Sequence, residues 1–208
     1  LGKLEEAVSS YRRALALHPS FAEAHCNLGI ALRLLGRTAE AQAHCRTALD
    51  IDPASTAACV ALAESSADLG EFTAAADLLD RAVAIEPESP EAWAARVRLR
   101  RMTPGDGAWL AAAQRIVARP LPPSREICLR YAMGKYFDDV RDFDQAFGHF
   151  RRANELIALR RSKHDRGQLT RTVDRITSAY DKDFLARAGI DAVQSARPVF
   201  IVGMLRSG

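Results

Sequence analysis

Residues 22–55 read AEAHCNLGIALRLLGRTAEAQAHCRTALDIDPAS, and the landmarks of this stretch return along the chain at a fixed spacing of 34 residues. One glycine set, one proline set and two alanine sets share this spacing. They are Gly2, Gly36 and Gly70; Pro19, Pro53 and Pro87; Ala7, Ala41 and Ala75; and Ala14, Ala48 and Ala82. Four sets in one register predict a repeat protein in which each repeat is one supersecondary unit.

The 22–55 unit reads as two helices joined by a tight turn. Apolar residues form one helical stripe at Ala24, Leu28, Ala31, Leu32 and Leu35. Gly36 stands where a left-handed residue ends a helix. A second helix is predicted from Thr38, as N-cap, to Ile51, because the residue before Pro53 is pushed out of the α region.

The composition favours a mostly helical globular protein. Of the 208 residues, 48% are hydrophobic and 26% charged, and only 7% are aromatic. A net charge of +3 is too small to indicate a nucleic-acid partner. No apolar run approaches the roughly 20 residues of a membrane span, so we expect no membrane partner and a cytoplasmic location. The chain begins partway into a repeat, and we expect it to be a fragment.

The cysteines are expected to be reduced thiols in the core. Cys26, Cys45, Cys59 and Cys128 form no Cys-x-x-Cys pair. Three of the four fall on helix positions that look buried, which suits core-filling thiols. His25-Cys26 and His44-Cys45 lack the close ligand spacing of structural zinc sites, so we predict no metal.

Within the unit, Leu28-Gly29, Ala41, Ala48 and Pro53 stand where tetratricopeptide (TPR) repeats carry Leu-Gly, two small residues and a closing proline. The chain resembles the TPR family. The resemblance implies an all-α fold, an α-solenoid of helix-turn-helix repeats. The small residues would let the two helices approach closely.

The register divides the chain. We predict a TPR array over residues 1–160, with a partial first repeat at 1–21, repeats at 22–55 and 56–89, an irregular unit at 90–126 and a last repeat at 127–160. The irregular unit opens with Ser89 as cap and Pro90 in the first turn. It then loses the register at the loop 102–107, continues as a helix over about 108–118 and ends in a rigid connector at 119–123.

Past residue 160 the repeat landmarks stop. We predict a helical cap and linker over residues 161–197, where Leu169, Val173, Ile176 and Tyr180 fall on one helical face. Residues 198–202 are a continuous apolar run, the pattern of a buried parallel strand. The loop 203–208 that follows could begin a phosphate-binding site, with Gly203 and Gly208 spaced as in the first half of a Walker A loop, or could be an ordinary turn.

Residues 197–208, RPVFIVGMLRSG, resemble the opening of bacterial TPR-linked sulfotransferases, usually R-P-[IV]-F-I-V-G-M-P-R-S-G-T-T. Leu205 departs from the usual proline, whereas Met133-Gly134-Lys135 and residues 142–154 resemble the last repeat of that family. The resemblance implies that 198–208 begins a P-loop-type α/β domain. Its loop would bind 3′-phosphoadenosine-5′-phosphosulfate through Arg206, Ser207 and Gly208. The catalytic base and acceptor pocket would lie after Gly208, so residues 1–208 are expected to hold no catalytic residue.

The TPR resemblance also implies a binding groove, lined by the second, fifth, ninth and twelfth positions of each first helix. These positions are Glu23, Cys26, Ile30 and Arg33; Ala57, Val60, Glu64 and Ala67; and Glu91, Ala94, Arg98 and Arg101. The alternative is that they are merely solvated helix faces. Asn27 matches one position of the carboxylate clamp in chaperone-binding TPRs, but Ala57 and Ala61 occupy two others, so a clamp is not expected.

The predicted function is a TPR protein- or peptide-binding scaffold. It would present a protein or peptide acceptor to a sulfotransferase domain of the same parent chain. The acceptor and this catalytic domain are the two expected partners. Two alternatives stay open: a TPR scaffold attached to a P-loop NTPase, and a free-standing interaction module. The basic residues between Arg151 and Arg166 are interpreted as a solvated face or a contact with the catalytic domain, since they lack the interleaved aromatics of many nucleic-acid surfaces.

Overall fold

The structure, a computed structural model, describes residues 2–160 and 166–179, and the predicted all-α class is confirmed there. The helices are α1 (Gly2–Leu17), α2 (Ala22–Leu34), α3 (Thr38–Ile51), α4 (Thr56–Asp68), α5 (Phe72–Ile85), α6 (Pro90–Arg98), α7 (Gly107–Val117), α8 (Pro123–Asp139), α9 (Phe143–Arg160) and α10 (Arg166–Ala179). A short 3-10 turn, Pro104–Asp106, precedes α7. The predicted strand at 198–202 and loop at 203–208 lie outside the described residues.

The chain divides into two compact units, Leu1–Arg160 with α1 to α9 and Arg161–Gly208 with α10. Within α10, Val173 and Ile176 of the predicted apolar face are about half exposed. Leu169 and Tyr180, the other members of that face, lie outside the described side chains. The helical cap over 161–197 therefore stays a prediction.

The first unit is a two-layer array of helix hairpins. α2 pairs with α3, α4 with α5, and α8 with α9, while each second helix also packs on the first helix of the next hairpin. The first helices α2, α4, α6 and α8 contact one another in sequence. They therefore form one continuous layer, and the candidate binding groove lies on this layer.

Glycine in the left-handed region ends the first helix of each regular hairpin. Gly36 has φ 79° and Gly70 has φ 81°, and Arg37 N–H donates to the Leu32 carbonyl oxygen at 2.9 Å in the six-to-one bond of a Schellman turn. The predicted cap at Gly36 is confirmed. The corresponding turn between α8 and α9 places Arg141 at φ 66°, a conformation that a side chain makes unfavourable.

The helix starts match the sequence prediction in part. Thr38 as N-cap is wrong: the tight turn at Gly36 leaves only Arg37 before α3, so Arg37 is the N-cap and Thr38 the first helical residue. Ser89 does cap α6, accepting from the Ala92 N–H at 3.4 Å, and Pro90 lies in the first turn as predicted.

Small residues set the spacing within the hairpins. Ala41, Ala48 and Cys45 of α3 are fully buried, and α3 passes so close to Gly29 of α2 that no added side-chain atom would fit there. The predicted close approach of the two helices at these small residues is confirmed. The buried alanines and cysteines then form a core that continues through α4 into α6.

The irregular unit departs furthest from the repeat. α6 ends at Arg98 and packs mainly on α8. α7 starts one residue before its predicted position, and its Trp109 indole N–H donates to the Trp93 carbonyl oxygen at 3.0 Å. α8 begins at Pro123, the last residue of the predicted connector, because proline is tolerated in the first turn of a helix.

Candidate functional site

A cavity of ≈ 460 Å³ crosses the layer of first helices. We call it the first-helix groove. Its lining is Ile30 of α2; Ala57, Val60, Ala61 and Glu64 of α4; Glu91, Ala94, Ala95, Val97 and Arg98 of α6; and Cys128, Tyr131, Ala132 and Lys135 of α8. Most of these side chains are small or apolar, so the groove is wide and its floor is apolar.

The structure brings together part of the predicted groove set. Seven of the predicted positions line the first-helix groove: Ile30, Ala57, Val60, Glu64, Glu91, Ala94 and Arg98. Cys26 is instead buried in the core at 4% exposure, and Glu23 is exposed at the start of α2. Arg101 follows the end of α6, and its Nη2 donates to the Asp139 carbonyl oxygen at 3.3 Å. Neither Arg33 nor Ala67 is among the lining residues.

Sequence reasoning missed the contribution of α8. Cys128, Tyr131 and Lys135 line the groove, and they are the second, fifth and ninth positions of a repeat counted from Ile127. The positional rule used for the earlier repeats would have found them. Ala132, beside them, completes this end of the groove.

Glu64 is the centre of an ion-pair network that joins three first helices. Its carboxylate accepts from Arg33 Nη2 at 2.5 Å and from Arg98 Nη1 at 2.7 Å. Arg33 also donates to Asp68 at 3.1 Å. Since the Arg33 and Glu64 side chains are only 15% and 21% exposed, this network holds α2, α4 and α6 in register.

The other charged residues of the groove are paired as well. Glu91 Oε1 accepts from Arg125 Nε at 2.9 Å, and Lys135 Nζ donates to Asp139 Oδ2 at 2.5 Å. Burial opposes the charged form of Asp139, but the bonds from Lys135 and from the Met102 N–H outweigh it and hold the pKa of this carboxyl below its usual range. Two carboxylates and two cations line the groove, each with an opposite charge beside it.

The remaining polar side chains of the groove have partners within the protein. Burial raises the pKa of the Cys128 thiol to about 12, and its Sγ donates to the Arg125 carbonyl oxygen at 3.1 Å. Tyr131 donates its hydroxyl to Asn154 Oδ1 at 2.7 Å. A thiol with this pKa is protonated at neutral pH and is therefore a poor nucleophile.

His25 and His44 meet away from the groove. Their Nδ1 atoms are 3.0 Å apart, and His25 Nε2 lies 3.0 Å from the Pro19 carbonyl oxygen. That carbonyl can only accept, so His25 donates from Nε2. When the His25 ring is neutral, its Nδ1 then accepts from the Nδ1–H of His44. Among the described residues, no group of three or more His, Cys, Asp or Glu could hold a metal ion.

A second cavity, of ≈ 610 Å³, opens between α5, α6 and α7. Phe72, Trp93, Leu99, Met102 and Trp109 contribute its apolar lining, and its edges carry the ion pairs Asp80–Arg96 and Arg100–Asp106. It exists because α7 packs only lightly on α6. In the sequence, this irregular region is marked by the loss of the 34-residue spacing after residue 90.

Comparison with protein families agrees with this geometry. A family model described as tetratricopeptide repeat matches residues 32–99, and one described as TPR repeat matches residues 1–36. The matched part of the chain, residues 1–99, carries TPR repeats. A search of curated proteins found no match, and no described helix has the length and apolarity needed to cross a bilayer.

Several solved structures show the same fold. A thermophilic TPR protein of Thermus thermophilus is 20% identical, with a TM-score of 0.62 over 75% of this chain and 84% of that chain. A chain of the APC/C hetero-tetramer Cut9–Hcn1 is 18% identical, with a TM-score of 0.61 over 91% of this chain and 36% of that one. A MamA structure is 20% identical, with a TM-score of 0.51 over 76% and 91%. At these identities the likeness is one of fold.

Proposed function

We propose that this TPR array is a protein-interaction scaffold that binds a polypeptide in the first-helix groove. The observation that carries the proposal is the groove itself, a cavity of ≈ 460 Å³ with an apolar floor that crosses four helices. Recognition sites are commonly concave and mostly apolar, with a few placed polar groups. Grooves between helices are used in this way to bind peptide segments.

The groove is also held in shape before a partner arrives. Glu64 joins α2, α4 and α6 through its two arginine partners, and Arg125 of α8 reaches Glu91 of α6. A partner therefore meets a surface whose neighbouring helices are already tied together. Preorganisation of this kind reduces the entropy lost on binding.

The experiment fills the groove and leaves the fold intact. Ala57 lines the groove and is exposed, so Ala57→Trp places an indole in the cavity without displacing core atoms. Ala84 of α5 is also exposed and lies outside the groove, so Ala84→Trp is the matched control. Peptides selected by display against the chain should bind A57W at least tenfold more weakly, with unchanged affinity for A84W. Equal affinity for A57W would refute the proposed groove.

We further propose that the array presents its bound polypeptide to a sulfotransferase domain of the same parent chain. The support is the resemblance of residues 197–208 to the opening of TPR-linked sulfotransferases. In this proposal Arg206, Ser207 and Gly208 contact the phosphosulfate, and Arg206 stabilises charge on the leaving phosphate. The spacing of Gly203 and Gly208 supports the competing NTPase reading, in which Lys and Ser or Thr would follow.

Two measurements separate these readings. The coding sequence after Gly208 should continue with Thr-Thr for a sulfotransferase, and with Lys followed by Ser or Thr for an NTPase. Calorimetry on the full-length protein should then show binding of 3′-phosphoadenosine-5′-phosphate. Absence of binding together with a Lys-Ser or Lys-Thr continuation would overturn the sulfotransferase proposal and leave the scaffold proposal standing.

A further inference from the structure

The floor of the first-helix groove has no free main-chain hydrogen-bonding groups. Val60, Ala61, Ala94 and Ala132 line it, and each lies inside a helix whose backbone N–H and C=O groups are bonded along that helix. The side chains of these residues are aliphatic. A ligand that lies on this floor therefore gains no polar contact from it.

The charged side chains at the edges of the groove are also engaged. Glu64 and Arg98 pair with each other, Glu91 pairs with Arg125, and Lys135 pairs with Asp139. The two carboxylates and two cations that line the groove balance in charge. The surface is thus complementary to an uncharged apolar face and offers no surplus cation to an acidic ligand.

Resting on the proposed function, we infer that the first-helix groove binds the apolar face of an amphipathic helix. An extended peptide would bury backbone N–H and C=O groups against this floor without partners, and an unpartnered buried polar group costs free energy. A helix bonds its own backbone groups internally and presents only side chains. The groove chemistry therefore selects a helix.

The same surface disfavours a partner bound through its C-terminal carboxylate. Such a clamp needs cations or amides free to donate, but Arg98 and Lys135 are ion-paired, and Ala57 and Ala61 have no donor. Arg33 is also committed, to Glu64 and Asp68. A carboxylate arriving at Arg98 or Lys135 would lie beside the carboxylate that already pairs with that cation, and the two like charges would repel each other.

The dimensions of a helix suit the layer of first helices. Packed helices lie about 8–10 Å apart, and residues i and i+7 of a helix are separated by about 10.5 Å along its axis. Apolar residues at i and i+7 would therefore meet successive first helices, and the apolar residue at i+3 or i+4 would lie between them. The small side chains of Ala57, Ala61, Ala94 and Ala132 leave room between them for the ligand's larger side chains.

A display selection tests the inference. Random peptides of about 16–20 residues, long enough as a helix to cross from α2 to α8, are selected on the 208-residue chain and counter-selected on A57W. Enriched sequences should carry apolar residues at i, i+3 or i+4, and i+7, with proline depleted from their central positions. The best peptide should gain helical circular dichroism on binding, and one central proline should weaken it at least tenfold.

The outcomes separate the two proposals. Binders that depend on the groove but show alternating apolar residues, proline-rich motifs or a shared C-terminal carboxylate overturn the helix inference and leave the scaffold function intact. A counter-selection on A57W that removes every binder, or a selection that yields none, overturns both. Thermal unfolding of A57W and A84W beside the unmodified chain confirms that the counter-selection protein is folded.

Discussion

Gly29 of α2 lies directly against Cys45 of α3, so that a methyl group at Gly29 would overlap the Cys45 Sγ and lie 3.1 Å from the Ala41 carbonyl oxygen. Cys45 is fully buried, so its sulfur could move away only by displacing other core atoms. This contact sets the closest approach of the two helices in the hairpin.

Gly29→Ala should therefore destabilise the array by about 1–3 kcal/mol, the usual cost of overpacking a tight core. Urea unfolding followed by circular dichroism measures the change. Gly148 is the matched control, because it lies inside α9 with open space around its added methyl group. Gly148→Ala should stabilise by roughly 0.5–1 kcal/mol, as alanine does in place of glycine in a helix. Similar effects of the two substitutions would contradict the interpretation.

Arg141 adopts the left-handed backbone conformation that Gly36 and Gly70 adopt in the other turns. A side chain in this region costs roughly 1–2 kcal/mol. Arg141→Gly should remove that cost and raise stability by up to about 1 kcal/mol, part being offset by the greater freedom of glycine in the unfolded chain. Gly36→Ala should lower stability by a comparable amount in the same unfolding experiment. A destabilised R141G would show that contacts of the arginine side chain stabilise the fold by more than its left-handed backbone conformation costs.

Two histidines should make the stability of the folded chain fall below neutral pH. Burial and the neighbouring His25 lower the pKa of His44, and burial and Arg130 lower the pKa of His149. The unfolded chain therefore binds protons at a higher pH than the folded chain does. Stability is fully present above the ordinary histidine pKa of about 6.5 and declines as pH falls through it.

Thermal unfolding at pH 7.5 and pH 5.5 measures this loss. The window lies above the range of the carboxylates, so it isolates the histidines. A His44→Gln, His149→Asn double variant should lose less stability between the two pH values than the unmodified chain does. An undiminished pH dependence would assign the effect to other groups.

The cysteine thiols should react slowly in the folded chain. Burial raises the pKa of Cys26 to about 11 and those of Cys45 and Cys128 to about 12, so the thiolate fraction at pH 8 is about 10⁻³ or less. Labelling with a disulfide reagent and mass spectrometry should modify all four cysteines rapidly only in denaturant. Rapid stoichiometric labelling of Cys26 or Cys45 in the native chain would contradict the packing. A groove ligand should protect Cys128, which lines that groove.

The regular hairpins were predictable because their signals are local. The 34-residue spacing, the left-handed glycines at Gly36 and Gly70, and the proline after α3 each act within a few residues of their position. They located α3 at both ends and both left-handed turns. The same local reasoning erred at Thr38, since a one-residue difference in turn length decides which residue is the cap.

The irregular unit was less predictable because long-range contacts shape it. The Met102 N–H bonds to the Asp139 carboxylate at 2.9 Å, and the Trp109 indole bonds to the Trp93 carbonyl oxygen. No spacing rule anticipates such partners. For the groove, the positional rule found Glu64 but not the ion pairs that Glu64 makes. The Arg33 side chain pairs with Glu64 and Asp68 instead of lining the groove as the rule predicted.

The direct packing of α6 on α8 has a consequence for how such an array can change over time. The groove is built by first helices alone, whereas α7 and its two connectors, 99–106 and 118–122, lie outside its lining. Insertions or deletions in the connector 118–122 can remodel the outer surface without altering ligand choice. The connector 99–106 is more constrained, because its Met102 N–H bonds to Asp139, the partner of the groove residue Lys135. Sequence changes that alter the outer surface and selection for a binding partner can therefore act on separate segments of the chain.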